Sequence, residues 1–332
     1  MLRTAALALL LAHATAAAQS AGTPELLIYD NDWSAASAPS LLPLLAAPQW
    51  RVLGLTTVTG DTWRDQGKAE LQAFLATAGA MRIPVVDGAN APLRNTRERM
   101  LAWEQQYGQI PWKGAWNNAA PPPTPASTLS APKGAEAADF LVHQVRAHPH
   151  QVTIYAAGPL TNLAQALQRD PEFATLAKRL VFIGANLTQF KRDGSARSDF
   201  NLLFDPEAAD MVLRAPWPDV TAIGDVTEDA LLSPALRDRL AEKHSPAADH
   251  ILHTSRPNAT LWDTLGAVIL VDPKVARQVL PVTMAVDLSG GPFQGRARAW
   301  SKGTGPAGAR PVTVVRTIDI PRLDDDIVNS LP

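Results

Sequence analysis

Short apolar runs rich in β-branched residues alternate with stretches of helical periodicity along most of the chain, and parallel strands joined by crossover helices satisfy such alternation. Strands are read at Leu26-Leu27-Ile28-Tyr29, Val52 to Val58, Val85-Val86, Val152 to Tyr155, Leu180 to Ile183 and Val220 to Ile223. Helical spacing fills Thr62 to Ala78, Glu136 to Arg146, Leu160 to Gln168 and Pro234 to Lys243, and another helix begins near Asp263. Asp205-Pro206-Glu207 opens a further helix with an N-cap acceptor, a proline at the first helical position and an early acid. Val282 to Val286, Ala297 to Trp300 and Val312 to Thr317 form a small β-rich C-terminal part with Gly-rich turns. The expected fold class is α/β, an open, mostly parallel central sheet with flanking helices, in one domain over residues 24–332.

An insertion at about 94–132 interrupts the alternation, with Trp103, Trp112, Trp116 and the run Pro121-Pro122-Pro123. The proline-rich part reads as a solvated excursion. The aromatic part is either the same or a lid over a pocket.

Met1-Leu2-Arg3, the apolar run Ala5 to Leu11 and the small residues Ala16-Ala17-Ala18 have the order of a secretory signal peptide over residues 1–18, cleaved near Ala18-Gln19. The mature protein is therefore expected to be periplasmic or secreted, with no membrane partner. No cysteine is present, which excludes disulfides, thiolate metal sites and a thiol nucleophile. A formal net charge of -2, with charges of both signs interleaved, gives no basic stripe for a nucleic acid polymer. No nucleophile elbow, Walker or dinucleotide-binding glycine pattern follows a strand. His143, His148, His150, His244, His250 and His253 have no metal-like spacing tied to the acids and read as surface residues, and Asp324-Asp325-Asp326 reads as a solvated charge run.

Chemistry is signalled by acids placed just beyond buried strands, where open α/β sheets bind ligands. Asp30-Asn31-Asp32 follows the first strand, Asp61 the second, and Asp199 and Asp263 later ones. Asp30 and Asp32 either cap a helix or hold a hard cation, for which oxygen-only ligation suits calcium. In Tyr155-Ala156-Ala157-Gly158-Pro159, the Ala157 carbonyl is exposed at the same rim, either as a further cation ligand or as part of an ordinary strand-to-helix turn.

Gly158-Pro159-Leu160-Thr161-Asn162-Leu163, Phe200-Asn201 followed by Asp205-Pro206-Glu207-Ala208-Ala209, Asp30-Asn31-Asp32, Leu55 to Gly60 and Val181 to Gly184 occur in an order that resembles the inosine-uridine type nucleoside hydrolases, from about Leu26 to Asp272. The resemblance implies hydrolysis of the N-glycosidic bond of ribonucleosides or similar N-ribosyl compounds, purine nucleosides among them, by metal-activated water. It implies Asp32 as the general base, calcium held by Asp30, Asp32, Ala157 and Asp263, and ribose or base contacts from Asp199, Asn201, Asp61 and Trp262. A small nucleoside-like substrate is the implied partner, and a homo-oligomer is compatible with the family.

Departures from the family pattern bear on the metal. The family continues its first motif with Gly and two adjacent Asp residues, whereas this chain has Trp33-Ser34-Ala35-Ala36-Ser37, so Ala36 replaces a ribose-binding acid and Ser37 a bidentate calcium ligand. Asp61 stands where many relatives carry Asn and is the candidate substitute ligand. Trp262 replaces a His and either stacks on the base or packs on the insertion. Trp33 and Trp63 are either pocket walls or core. Two alternatives remain: an inactive relative that binds a ribosyl ligand or a protein partner in the same cleft, and a metal-independent glycoside hydrolase using a carboxylate pair.

Overall fold

The computed structural model describes residues 23–117, 136–188 and 199–332. The expected signal peptide and the proline-rich part of the insertion lie outside the described residues.

Strands β1 (Glu25–Asn31), β2 (Trp50–Thr57), β3 (Val85–Val86), β4 (Val152–Ala156), β5 (Arg179–Ile183), β6 (Val220–Ile223), β7 (Ala276–Val286), β8 (Ala297–Ser301) and β9 (Arg310–Ile318) form a nine-stranded sheet in the order β3-β2-β1-β4-β5-β6-β9-β7-β8. From β3 through β9 the pairings are parallel, while β7 pairs antiparallel with both β9 and β8. The expected open α/β sheet and its β-rich C-terminal part are both present.

Both faces of the parallel portion are buried. Leu27 and Tyr29 of β1, Tyr155 of β4 and Val181 and Ile183 of β5 pack into one apolar cluster. Their neighbours Leu26, Ile28, Ile154, Leu180 and Phe182 pack into the other. Alternate side chains of a strand point to opposite faces, so a strand covered on both sides must be apolar throughout, which is the pattern the sequence carries.

Several helices lie outside the sequence reading. Leu42–Ala46, Pro246–Thr254 and Ile320–Asn329 are helical. So is Arg97–Tyr107, within the described part of the insertion, capped by the Thr96 side chain accepting from the Arg99 N–H. The Asp324-Asp325-Asp326 run belongs to the last helix rather than to a fully solvated stretch: Asp325 pairs with Arg239 at 2.8 Å, and Asp326 has a buried carboxylate oxygen. Among the described residues no helix is long and apolar enough to cross a membrane.

Since β1 and β4 are neighbours while β2 and β3 extend to one side and β5 and β6 to the other, the order reverses between β1 and β4. A crevice beyond the carboxyl ends of such strands is where this architecture accepts ligands.

Candidate active site

Asp30 is the penultimate residue of β1 and is fully buried. Its Oδ1 accepts from the Thr56 hydroxyl and from Asn162 Nδ2 at 2.6 Å, while its Oδ2 is buried without a partner. Burial pushes its pKa up to about 6, against the effect of those two donors. Asn162, in the Gly-Pro-Leu-Thr-Asn motif, also donates to the Thr57 carbonyl and accepts from the Ala89 N–H, so it ties β1, β2 and the loop after β3 together.

Asp32 is the focus of the cluster and caps no helix. Its Oδ2 accepts from the Asp61 backbone N–H at 2.6 Å. Two glycines permit its position: a Cβ on Gly60 would lie 2.1 Å from Asp32 Oδ2, and one on Gly158 2.7 Å from the Asp32 nitrogen. Burial raises the Asp32 pKa well above the carboxylate range, and the charges of Asp61 and Asp263 raise it further. Asp61 is raised by burial as well, opposed by a hydrogen bond from Trp112. Asp263 lies in the first turn of the Trp262–Val271 helix and accepts from Asn31 Nδ2 at 2.9 Å. Burial, together with the Asp61 charge, pushes it to about 7 in spite of that bond.

Three carboxylates thus face one another across the ends of β1 and β2 and the start of a helix. Among the described residues, no lysine, arginine or histidine contributes to holding Asp30, Asp61 or Asp263 in its charged form. Such a set suits a divalent cation with oxygen ligands, and the unpartnered Asp30 Oδ2 supplies one more acceptor. The side chains are not gathered into a closed cage, however: among the described residues no three acidic or histidine groups stand together at ligating distance. The Ala157 carbonyl lies at the same rim, where it accepts from Asn201 Nδ2 at 2.6 Å.

The positions where the family carries acids supply no carboxylate here. Ala36 is exposed, and the Ser37 hydroxyl accepts from the Ser34 N–H at 2.8 Å within its own turn. Glu70 braces that turn by accepting from the Ala35 N–H at 2.5 Å, and His250 Nε2 lies 2.8 Å from the Ala35 carbonyl, so His250 is part of the packing rather than a free surface residue.

Asp199 is buried and caps the Phe200–Phe204 helix; its Oδ2 accepts from the Asn186 N–H at 2.9 Å, and burial raises its pKa to about 6. Asn201, two residues on, donates to the Ala157 and Ile183 carbonyls, which leaves its amide oxygen for a ligand. Trp262 is 41% exposed. Trp33 is core: it is fully buried and donates to the Thr56 carbonyl. Trp63 joins Trp103 and Phe200 against a small cluster around Trp116 and Phe204.

The insertion reaches the site. Trp112 Nε1 donates to Asp61 Oδ1 at 2.5 Å, and the Ala115 N–H donates to the Gly60 carbonyl at 2.8 Å. This contact has no local sequence signal, since the two residues are 51 positions apart. Asn31, Thr56 and Asn162 also escaped the sequence reading as site residues, although each lies in or beside a motif it singled out.

A family model described as inosine-uridine preferring nucleoside hydrolase matches residues 27–325. Uridine nucleosidase 1 of Arabidopsis thaliana is 31% identical over 259 residues, which cover 76% of this chain and 73% of the relative. The inosine-uridine preferring nucleoside hydrolase of Crithidia fasciculata is 28% identical over 268 residues, 76% of this chain and 80% of the relative. In fold, a solved plant nucleoside hydrolase superposes with a TM-score of 0.74 at 23% identity, covering 93% of this chain and 100% of its own. A purine-preferring ribonucleoside hydrolase from Gardnerella vaginalis gives 0.70 at 23% identity, covering 92% and 98%.

Proposed function

The chain belongs to the inosine-uridine preferring nucleoside hydrolase family, enzymes of N-glycosidic bond hydrolysis, and we propose that it splits ribonucleosides into ribose and free base with calcium at the Asp30, Asp32 and Asp263 cluster. The observation that carries this reading is the approach of three acids to one rim, the buried Asp32 accepting from the Asp61 N–H and feeling the charges of the half-buried Asp61 and Asp263, beside an Asp30 carboxylate oxygen that is buried without a partner. Calcium would be held by Asp30, Asp32, Asp263 and the Ala157 carbonyl, with Asp61 taking the part of the carboxylate lost at Ser37. When bound, the ion neutralises these charges and lowers the pKa of water.

Asp32 takes the proton of the attacking water, because its carboxylate is fixed by the Asp61 N–H and seated between Gly60 and Gly158. Water adds to the anomeric carbon, the carbon-nitrogen bond breaks, and the base leaves with a proton. The carboxylates of the cluster oppose the positive charge that develops on the ribose ring. Asp199 and the Asn201 amide oxygen hold the ribose at the opposite wall, and Trp262 offers an exposed ring to the base. Uridine and inosine, the substrates in the relatives' names, are the first compounds to try. Met1-Leu2-Arg3 and the apolar run after it further support export to the periplasm or beyond.

Calcium titration followed by calorimetry tests the metal assignment: saturable binding that weakens in Asp263→Asn supports it, and absence of binding in an active enzyme refutes it.

A further inference from the structure

Two tyrosines lie side by side on the strands that carry the acid cluster. Tyr29 of β1 and Tyr155 of β4 are register partners, both fully buried, with ring centroids 4.4 Å apart. They pack in one apolar cluster with Leu27, Val181 and Ile183, which fill neighbouring positions on β1 and β5 with hydrocarbon alone. A buried hydroxyl costs free energy unless it finds a hydrogen-bond partner, so phenylalanine or an aliphatic residue would pack this face of the sheet at lower cost. The partners of the two phenols show what the hydroxyls add.

The Tyr155 hydroxyl donates to the Asp263 backbone carbonyl at 2.6 Å. Asp263 is the second residue of the Trp262–Val271 helix, and Leu261 at the N-cap gives that helix no side-chain cap. The turn that carries the acid is held by a phenol on β4 instead. Gly266 makes room for it, because a Cβ there would run into the Tyr155 oxygen. The Tyr29 hydroxyl meets the Tyr155 hydroxyl and also Ser40 Oγ, the latter at 2.7 Å. Ser40 belongs to the short helical turn Ala38–Leu41 that follows Ser37. A chain of three hydroxyls, on Ser40, Tyr29 and Tyr155, thus runs from that turn across β1 and β4 to Asp263.

We infer that Tyr155 is a positioning residue for Asp263, and that its hydroxyl sets the helix bearing this acid against the two strands bearing the other proposed calcium ligands. Tyr155 lies two residues before Ala157, whose carbonyl is one of them, and Tyr29 immediately precedes Asp30. Asn31 Nδ2 orients the Asp263 carboxylate at 2.9 Å while Tyr155 fixes the backbone of the same residue, so little ordering of this ligand is left for an ion to impose. Cation affinity depends on the rigidity of the site as well as on its charge, and groups that hold a ligand from behind are worth about 10- to 100-fold. This rests on the hydrolase reading above, with a divalent ion at the acid cluster.

The test titrates calcium calorimetrically into the wild type, Tyr155→Phe and Tyr29→Phe, beside the melting temperature of each in chelator and uridine hydrolysis at limiting and saturating calcium. Both substitutions keep the ring and remove one buried hydroxyl, but Tyr29→Phe leaves the bond from Tyr155 to Asp263 in place. Tyr155→Phe should weaken calcium by about tenfold, and its turnover should fall at limiting calcium and largely recover at saturation. Tyr29→Phe should shift the melting temperature by a similar amount and hold calcium more nearly as the wild type does. Unchanged calcium affinity in Tyr155→Phe, or an equal loss in both variants, overturns the positioning role and leaves the hydrolase reading standing. Calcium binding that Tyr155→Phe alone weakens, in a wild type that hydrolyses no nucleoside, sustains the positioning role and overturns the hydrolase reading instead. An active wild type that binds no calcium overturns the metal assignment and the positioning role together.

Discussion

The Trp112 indole N–H donates to the Asp61 carboxylate at 2.5 Å, so a side chain of the insertion fixes an acid of the proposed site. Asp61 in turn sends its backbone N–H to Asp32. The insertion is therefore coupled to the proposed base through a single residue, and the orientation of Asp61 depends on a tryptophan that is itself 48% exposed.

Replacing Trp112 with phenylalanine keeps a ring and removes the donor. Groups that orient a metal ligand from behind typically account for about 10- to 100-fold in affinity or activity. Trp112→Phe should accordingly weaken calcium by about tenfold in a calorimetric titration, with the melting temperature almost unchanged. Unchanged affinity would mean that Asp61 does not serve the ion.

If Asp61 substitutes for the carboxylate absent at Ser37, then Asp61→Asn should reduce calcium affinity more than Trp112→Phe does, because it removes a charge as well as an orientation. Addition of high calcium should restore part of the activity. An active variant with wild-type affinity would return the compensating role to some other group.

Trp262 separates a binding role from a packing role. It is 41% exposed, so truncation to alanine should cost little stability. Loss of a stacked base should raise KM for nucleosides by roughly fivefold, in line with about 1 kcal/mol for an aromatic pair. A fall in melting temperature without a change in KM would assign it to packing.

The acids also set a pH dependence of stability. Asp30, Asp199 and Asp205 are raised to about 6 and Asp263 to about 7, chiefly by burial. The folded state therefore binds more protons than the unfolded chain above pH 4, and the stability these groups contribute below that pH is lost as the pH rises through 6 and 7. A tenfold change in the proton affinity of one such acid corresponds to about 1.4 kcal/mol at most. In chelator the melting temperature should fall between pH 5 and pH 8, whereas calcium should restore it at pH 8 and do little at pH 5. A melting temperature in chelator that rises over this range would contradict the assignment.

The strands were legible because both faces of the parallel sheet are covered, which makes each an unbroken apolar run such as Leu180 to Ile183. Asp205 could be read for a local reason too, since it caps a helix and its side chain accepts from the Ala208 N–H as its sequence predicts, whereas the short helix that Asp199 caps was not read. The Arg97–Tyr107 helix gave no such signal, because only Met100 along it is buried. In Ile320–Asn329 the apolar positions Leu323, Ile327 and Val328 have helical spacing, but three successive aspartates obscure it. Site contacts made across long separations were invisible for a different reason. Asn31 to Asp263 spans 232 residues and Trp112 to Asp61 spans 51, and neither pairing has a footprint in the residues around it.

Hydrolysis of uridine and inosine by the mature protein, with and without chelator and beside an Asp32→Ala variant, bears most directly on the central claim. The account predicts turnover that chelator abolishes, calcium restores and Asp32→Ala reduces by at least about a hundredfold. Turnover that ignores chelator would contradict the metal site, and turnover that survives in Asp32→Ala would contradict the base.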